Sequence, residues 1–254
     1  MRPSISFFAS NRPEAQEALQ VLTKRYGKVD EDAADVIVAL GGDGAALDAL
    51  RRRFADKKPV YGMHRGTVGF LMNEYNEDDL PARLDMAERA LLIPLRMEAT
   101  DLDGHLHQSL AINEVSLLRQ TAQTAKVRII VDGRERMKEL SCDGIMVATP
   151  AGSTAYNLSA HGPILPIGAN LLALTPVSAY RPRRWRGALL RHDAHVRIEA
   201  NDAERRSISA TADNVEVRNI RSVEISEDPS NSLVMLFDPG HALDERILRE
   251  QFLV

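Results

Sequence analysis

Residues 5–9 (ISFFA) form a short apolar run, and residues 13–26 follow with Pro13 near the start and apolar positions at Ala15, Ala18, Leu19 and Leu22. The run predicts a strand. The three-and-four spacing predicts an amphipathic helix opened by proline. Residues 34–40 (ADVIVAL) are apolar almost without interruption, which suits a strand buried on both faces, as in a parallel sheet. A Gly-Gly-Asp-Gly turn occupies 41–44 and a helical pattern covers 45–54. Strand, glycine turn and helix together make a βα unit. A strand over 60–63, a turn around Gly66 and Gly69, and a helix over 81–90 continue the alternation. The first 90 or so residues therefore predict an open α/β sheet.

The period changes near Leu95. From there to about Met235 the pattern is of short alternating runs, at 110–119, 126–131, 144–149, 196–199, 215–217 and 222–226. Asp103-Gly104 and Asp132-Gly133 mark turns between them. Such spacing predicts a β-rich region, two sheets packed as in a sandwich. Residues 243–253 read as a short amphipathic helix. The expected organisation is an α/β domain over 1–95 and an all-β, sandwich-like domain over 96–237, with no internal repeat or low-complexity linker.

Composition narrows the class without naming a function. Of 254 residues, 44% are apolar and 27% charged, which excludes disordered and collagen-like readings. Aromatics are only 5%, so aliphatic side chains must fill the core. The net charge of −4 gives no general drive toward nucleic acid or an anionic membrane. The single cysteine, Cys142, excludes an intramolecular disulfide framework and fits a reducing compartment. The first ten residues lack a signal-peptide core, and no apolar run approaches a membrane span. A soluble cytoplasmic protein is expected.

Three segments carry candidate chemistry. At Gly41, Gly42, Asp43 and Gly44, glycines after a buried strand let backbone N–H groups approach a phosphate or ribose. Asp43 falls at the carboxyl end of that strand, where open α/β sheets place ligands. A carboxylate there can accept a proton from an attacking hydroxyl or help hold Mg²⁺; the bland alternative is a tight turn capped by Asp. No P-loop pattern and no complete G-x-G-x-x-G occurs. Asn113 and Glu114, flanked by strand-forming residues, can hold a base edge or ribose diol, or else are a solvated strand end. The third segment, 142–163, runs from an apolar strand into Thr149-Pro150-Ala151-Gly152 and a cluster of hydroxyls. Ser153 and Thr154 would offer donors at a helix start, suited to phosphate or a nucleotide amide, and Tyr156 could stack on a ring.

These residues together resemble the NAD kinase family. The match is carried by GGDG at 41–44, NE at 113–114 and DGIMVATPAGSTAYNLSAHGPILP at 143–166, in the family's order and with comparable spacing. GGDG alone is shared with phosphofructokinases and lipid kinases; the TPxGSTAY-type segment is specific. The stretch LTPVSAYRPRRWRGALL, 174–190, is similar to proteobacterial members.

The resemblance implies an NAD kinase-like two-domain fold in which the tail, 238–254, returns to the first domain. It implies transfer of the ATP γ-phosphate to the 2′-hydroxyl of the adenosine ribose of NAD, with Mg²⁺ or another divalent ion. Asp43 is then the proton acceptor. Gly41, Gly42 and Gly44 lie against phosphate, and Gly44 also against NAD. Asn113 and Glu114 bind the adenosine portion, and Asp143 the nicotinamide side or a neighbouring subunit's ligand. Thr154, Ala155, Tyr156, Asn157, Leu158 and Ser159 form the nucleotide-binding run, with a later contact near Asp213 or Asn214. A homodimer or homotetramer is implied, with no nucleic-acid or membrane partner.

This chain departs from the family pattern in three places. The common GGDGT turn ends in Ala45, the common GG before Pro-Ile reads His161-Gly162, and Thr124, with Lys126 nearby, stands where a basic residue is usual. Two other readings of the same residues are a lipid or sugar kinase sharing the GGDG turn, and a nucleotide sensor without catalysis.

Other features have plainer readings. The RPRRWR cluster at 181–186 suits a subunit contact or solvated loop, and Arg51, Arg52 and Arg53 complement a helix dipole. The histidines at 105, 107, 192 and 195 lack good zinc spacing. Cys142 suits a packed strand position.

Overall fold

The computed structural model describes residues 3–65, 69–183 and 185–240. The chain divides into two compact units, Met1–Leu92 with Ser230–Val254, and Ile93–Pro229.

The first unit follows the predicted alternation. β1 (Ile5–Ala9), α1 (Pro13–Tyr26), β2 (Val36–Gly41), α2 (Asp43–Arg51), β3 (Val60–His64), α3 (Leu80–Met86) and β4 (Glu88–Leu92) succeed one another. β1, β2 and β3 are parallel neighbours. All six residues of β2 are buried. Val36, Val38 and Leu40 pack with Ala15, Ala18 and Leu22 of α1, while Ile37 and Ala39 face the other way by the pleat and are also buried. That is the physical origin of the unbroken apolar run.

Two elements near the end of this unit differ from the sequence pattern. The helix expected over 81–90 stops at Met86, and Glu88–Leu92 is a strand at the edge of the sheet. Alanine and leucine at helical spacing favour a helix locally, but the segment gains a backbone ladder as a strand, and tertiary pairing overrides propensity.

The second unit is antiparallel throughout. It contains β5 (Leu95–Asp101), β6 (Leu106–Ala111), β7 (Glu114–Arg119), β8 (Ala125–Val131), β9 (Arg134–Cys142), β10 (Gly144–Ala148), a short helix α4 (Tyr156–Ser159), β11 (Leu171–Val177), β12 (Ala188–Arg191), β13 (Val196–Ala200), β14 (Ile208–Ala212), β15 (Val215–Val217) and β16 (Ile220–Glu227). They form two six-stranded sheets, β12-β11-β10-β7-β14-β15 and β6-β5-β16-β13-β8-β9. One aliphatic core joins residues of both sheets, among them Val115, Leu117, Ile145 and Val147 from the first and Met97, Ile129, Ile198 and Val223 from the second. Cys142 lies in that core, where burial pushes its thiol up to about 12. It is a packed strand residue.

Two departures here have clear causes. The single run expected over 110–119 is two strands separated by a turn at Ile112-Asn113. β9 carries RERMKE at its start and lacks an apolar alternation, yet it pairs with β8 as an edge strand. Ion pairs Lys126–Glu139 at 2.9 Å and Arg128–Glu135 at 2.6 Å cross that ladder.

The chain re-enters the first unit at Ser230, earlier than the expected 238. β17 (Leu233–Phe237) inserts between β3 and β4, parallel to the former and antiparallel to the latter. Buried Asn73 fixes this closure: its amide donates to Gly62 O and Leu236 O, each at 3.0 Å, and accepts from Asp238 N at 2.9 Å. Tyr61 and Arg83 add hydrogen bonds to the Asp238 carboxylate. The helix expected over 243–253, the turn at Gly66 and Arg184 lie outside the described residues. No helix among the described residues is long and apolar enough to cross a membrane.

Candidate functional site

In the first unit the glycine turn sits where β2 gives way to α2. Gly42 is the N-cap of α2 and Asp43 its first residue. Gly41 adopts φ +147°, and a Cβ there would lie 2.8 Å from Ser10 Oγ and 3.0 Å from Ala45 Cβ, so only glycine fits. The Asp43 carboxylate is held from one side. Phe70 N and Leu71 N donate to it, each at 2.9 Å. A Cβ on Gly69 would stand 2.1 Å from Asp43 Oδ1, which is why the neighbouring loop carries glycine there. A carboxylate offers roughly four acceptor positions; further ones remain for a substrate hydroxyl. Ala45 is buried in the first turn of α2, beside Ser10. Ser10 Oγ and His64 Nδ1 are buried without hydrogen-bond partners at the carboxyl ends of β1 and β3. Neither residue is marked by periodicity, and only the sheet brings them near the turn.

In the second unit the candidate residues collect around the β6–β7 turn. Asp213 Oδ2 accepts from Ile112 N at 2.9 Å, and Oδ1 accepts from Asn113 N at 2.9 Å and Glu114 N at 3.4 Å. On the other side, Thr149 N donates to Asn113 O at 2.9 Å and the Thr149 hydroxyl to Ile112 O at 2.7 Å. Gly152 N donates to that hydroxyl at 3.0 Å. A Cβ on Gly152 would lie 2.1 Å from Asn113 O. Asp213, expected to touch ligand, thus spends its carboxylate on backbone, and Asn214 follows it in the same turn. Glu114 Oε2 is buried with no hydrogen-bond partner. Burial, with a smaller contribution from the Asp213 charge, pushes the Glu114 carboxyl up to about 7.

The hydroxyl-rich run divides into inward and outward residues. Residues Ala151–Thr154 form a 3-10 turn, and α4 is a single turn, so the expected helix start is split between the two. Ser153 points inward, its hydroxyl donating to Pro150 O at 2.7 Å and accepting from Leu165 N at 3.0 Å. Asn157 is also turned inward and buried. Its amide donates to Ser153 O at 3.0 Å and Pro163 O at 2.9 Å and accepts from Thr175 Oγ1 at 2.7 Å. Period alone could not separate these residues. Thr154, Ala155, Tyr156, Leu158 and Ser159 keep some exposure, with Tyr156 the most prominent aromatic. His161 sits at φ +61°, a conformation suited to glycine. The family's glycine at that position answers a backbone need.

Asp143 accepts from Arg119 Nε at 2.5 Å and Tyr180 OH at 3.1 Å. Burial raises its pKa, but these hydrogen bonds outweigh burial and hold the carboxyl below its usual range. Lys126 is engaged by Glu139, and the guanidinium that reaches Thr124 is that of Arg206, at 2.8 Å to its carbonyl and 2.9 Å to its hydroxyl. Arg53 is buried and paired with Glu31 and Asp56, beyond a simple dipole role. Among the described residues, Asp101, Asp103 and His105 bring three metal-ligating atoms within 4.8 Å of one another. Asp101 already accepts from His107 at 2.8 Å.

The chain thus combines an open α/β unit whose glycine turn holds an amide-bound aspartate with a β unit whose Asn-Glu turn is pinned by Asp213. Residues 112–226 match the family model for the ATP-NAD kinase C-terminal domain, and residues 7–86 the one for the N-terminal domain. NAD kinase from Hyphomonas neptunium is 71% identical over 248 residues, 98% of this chain and 97% of that protein. NAD kinase from Caulobacter vibrioides is 60% identical over 98% of this chain and 95% of its own. Among solved structures, yeast NADH kinase complexed with NADH superposes with a TM-score of 0.82 at 20% identity, covering 98% of this chain and 86% of that one. An NAD kinase from Archaeoglobus fulgidus in complex with ATP gives 0.73 at 23% identity, covering 98% and 96%. At those identities the structural likeness speaks for the fold. The chain belongs to the ATP-NAD kinase family.

Proposed function

We propose that this chain phosphorylates NAD, transferring the γ-phosphate of ATP to the 2′-hydroxyl of the adenosine ribose and releasing NADP and ADP. The observation that carries the mechanism is the fixed Asp43 carboxylate at the carboxyl end of β2, in a turn whose first position, Gly41, admits only glycine. Phosphoryl transfer needs positioning and charge neutralisation more than covalent chemistry. Asp43 accepts the proton of the attacking hydroxyl, for which it must come within about 2.6–3.2 Å of that oxygen. The Gly41, Gly42 and Gly44 backbone lies against phosphate. Asn113, Glu114, Thr154, Ala155, Tyr156, Leu158 and Ser159 receive NAD, and Asp143 its nicotinamide side. Asn157 supports that surface from within, and Asp213 with Asn214 closes it.

The divalent ion is read as part of the nucleotide substrate. Among the described residues the one group of three close metal-ligating side chains is the Asp101 cluster. Phosphate oxygens of Mg·ATP supply ligands to the cation, and the ion screens their charge. The protein acts in the cytoplasm as a homodimer or homotetramer; light scattering that finds a monomer in the active enzyme overturns the assembly. The activity itself is tested by NADP formation from NAD, ATP and Mg²⁺, read through an NADP-specific dehydrogenase. Product appears if the reading holds, and NAD binding without product would mark a sensor.

A further inference from the structure

Two carboxyl groups meet at the Asn113-Glu114 turn, and they are treated differently. Asp213 accepts from three backbone N–H groups, the bonding of a carboxylate. It does so from a left-handed backbone at φ +50°, and its own N–H returns a hydrogen bond to Glu114 O at 3.2 Å. Glu114 has Oε2 buried and bonded to nothing. Buried polar atoms are nearly always hydrogen-bonded, so an orphaned one calls for an explanation. Where two carboxyls share a poorly solvated site, one holds its proton.

We infer that Asp213 is a positioning residue that presents Glu114 to the bound adenosine as a neutral carboxylic acid, donating a hydrogen bond to an acceptor atom of the nucleoside. This rests on the reading of the second unit as the NAD-binding half. The direction of titration supports it, since burial and Asp213 push Glu114 up to about 7. Among the described residues, the groups facing Glu114 are Asp213, from the β14–β15 turn, and Tyr156, from α4, whose own pKa is raised by burial and then by Glu114 and Asp143. Across the ladder β10 places Ala148 opposite Glu114. The 3-10 turn Ala151–Thr154 adds no titratable side chain. The neighbours thus offer no cation that would favour the ionised form.

The test is calorimetric titration of the intact protein with NAD from pH 6 to pH 9, for the wild type, Glu114→Gln and Asp213→Asn. The wild type is expected to lose about tenfold in affinity per pH unit above the Glu114 pKa and to take up close to one proton on binding at pH 8. Glu114→Gln, whose amide still donates, is expected to abolish both the pH limb and the proton uptake, and to bind about thirtyfold tighter than wild type at pH 8.5. Asp213→Asn is expected to weaken binding and to move the limb to lower pH, which loss of a purely structural contact would not do. Wild-type affinity that is flat across the range, or a Glu114→Gln variant that loses binding at every pH, overturns the neutral-acid role. An Asp213→Asn variant with unchanged affinity and limb overturns the positioning role. A wild type that binds no NAD at any pH overturns instead the NAD-site reading beneath the inference.

Discussion

The glycine turn of the first unit and the Asn113-Glu114 turn of the second are built by one device, an aspartate that accepts backbone N–H groups from a loop far along the chain. The outcomes differ. In the first unit the anchored carboxylate, Asp43, is the group we propose takes the proton, and Phe70 N and Leu71 N hold it in place. In the second the anchored carboxylate, Asp213, is a brace, and the group it sets in place, Glu114, is left without a partner. An amide-held carboxylate is therefore not by itself a sign of catalysis. What distinguishes the two is what the anchoring leaves available.

The largest effect should come from the first turn. Asp43→Asn keeps shape but loses the proton acceptor, and turnover is expected to fall about 10³-fold with NAD affinity largely retained; coupled assay and calorimetry on one preparation read both. Next is a stability effect at the second turn. The Glu114 carboxyl is pushed up to about 7 in the folded chain, against about 4.3 when unfolded. Between those values the folded chain holds a proton that the unfolded chain releases. Stability is therefore lost as pH rises through the window, by up to about 3 kcal/mol. Urea midpoints at pH 4.5 and 7.5 should show this loss in the wild type and not in Glu114→Gln.

Smaller effects separate the braces from the groups they hold. Gly69→Ala places a Cβ 2.1 Å from Asp43 Oδ1. Displacing the carboxylate by a fraction of an ångström to an ångström should cost about 10² in kcat, with little change in KM for NAD. Gly152→Ala pushes on Asn113 O and should raise KM for NAD about tenfold while kcat changes less, worth about 1.4 kcal/mol of binding. Reversal of those two patterns in steady-state kinetics would dissolve the contrast between the turns.

Much of this architecture was legible in the sequence, for reasons the comparison explains. β1, α1 and β2 were readable because their burial is imposed by neighbours that share their period. Gly41–Gly44 was readable because a glycine requirement leaves a mark at the position itself. The break between β6 and β7 was not, since the group that splits the run is Asp213, about a hundred residues on. β4 and β9 were hidden for the same reason, as their strand character comes from pairing with β17 and β8. Asn157 and Ser153 resembled their exposed neighbours in sequence and differ from them only in the direction their side chains take in the fold. The family resemblance singled out segments but not which residues within them face inward.

Parallel measurement of kcat and the NAD dissociation constant for Asp43→Asn and Asp213→Asn tests the division of labour most directly. Asp43→Asn should lose turnover and keep affinity, and Asp213→Asn should lose affinity and keep most of its turnover at saturating NAD. If both variants lose the same quantity, or if Asp43→Asn turns over like the wild type, the assignment of one carboxylate to chemistry and the other to positioning is wrong.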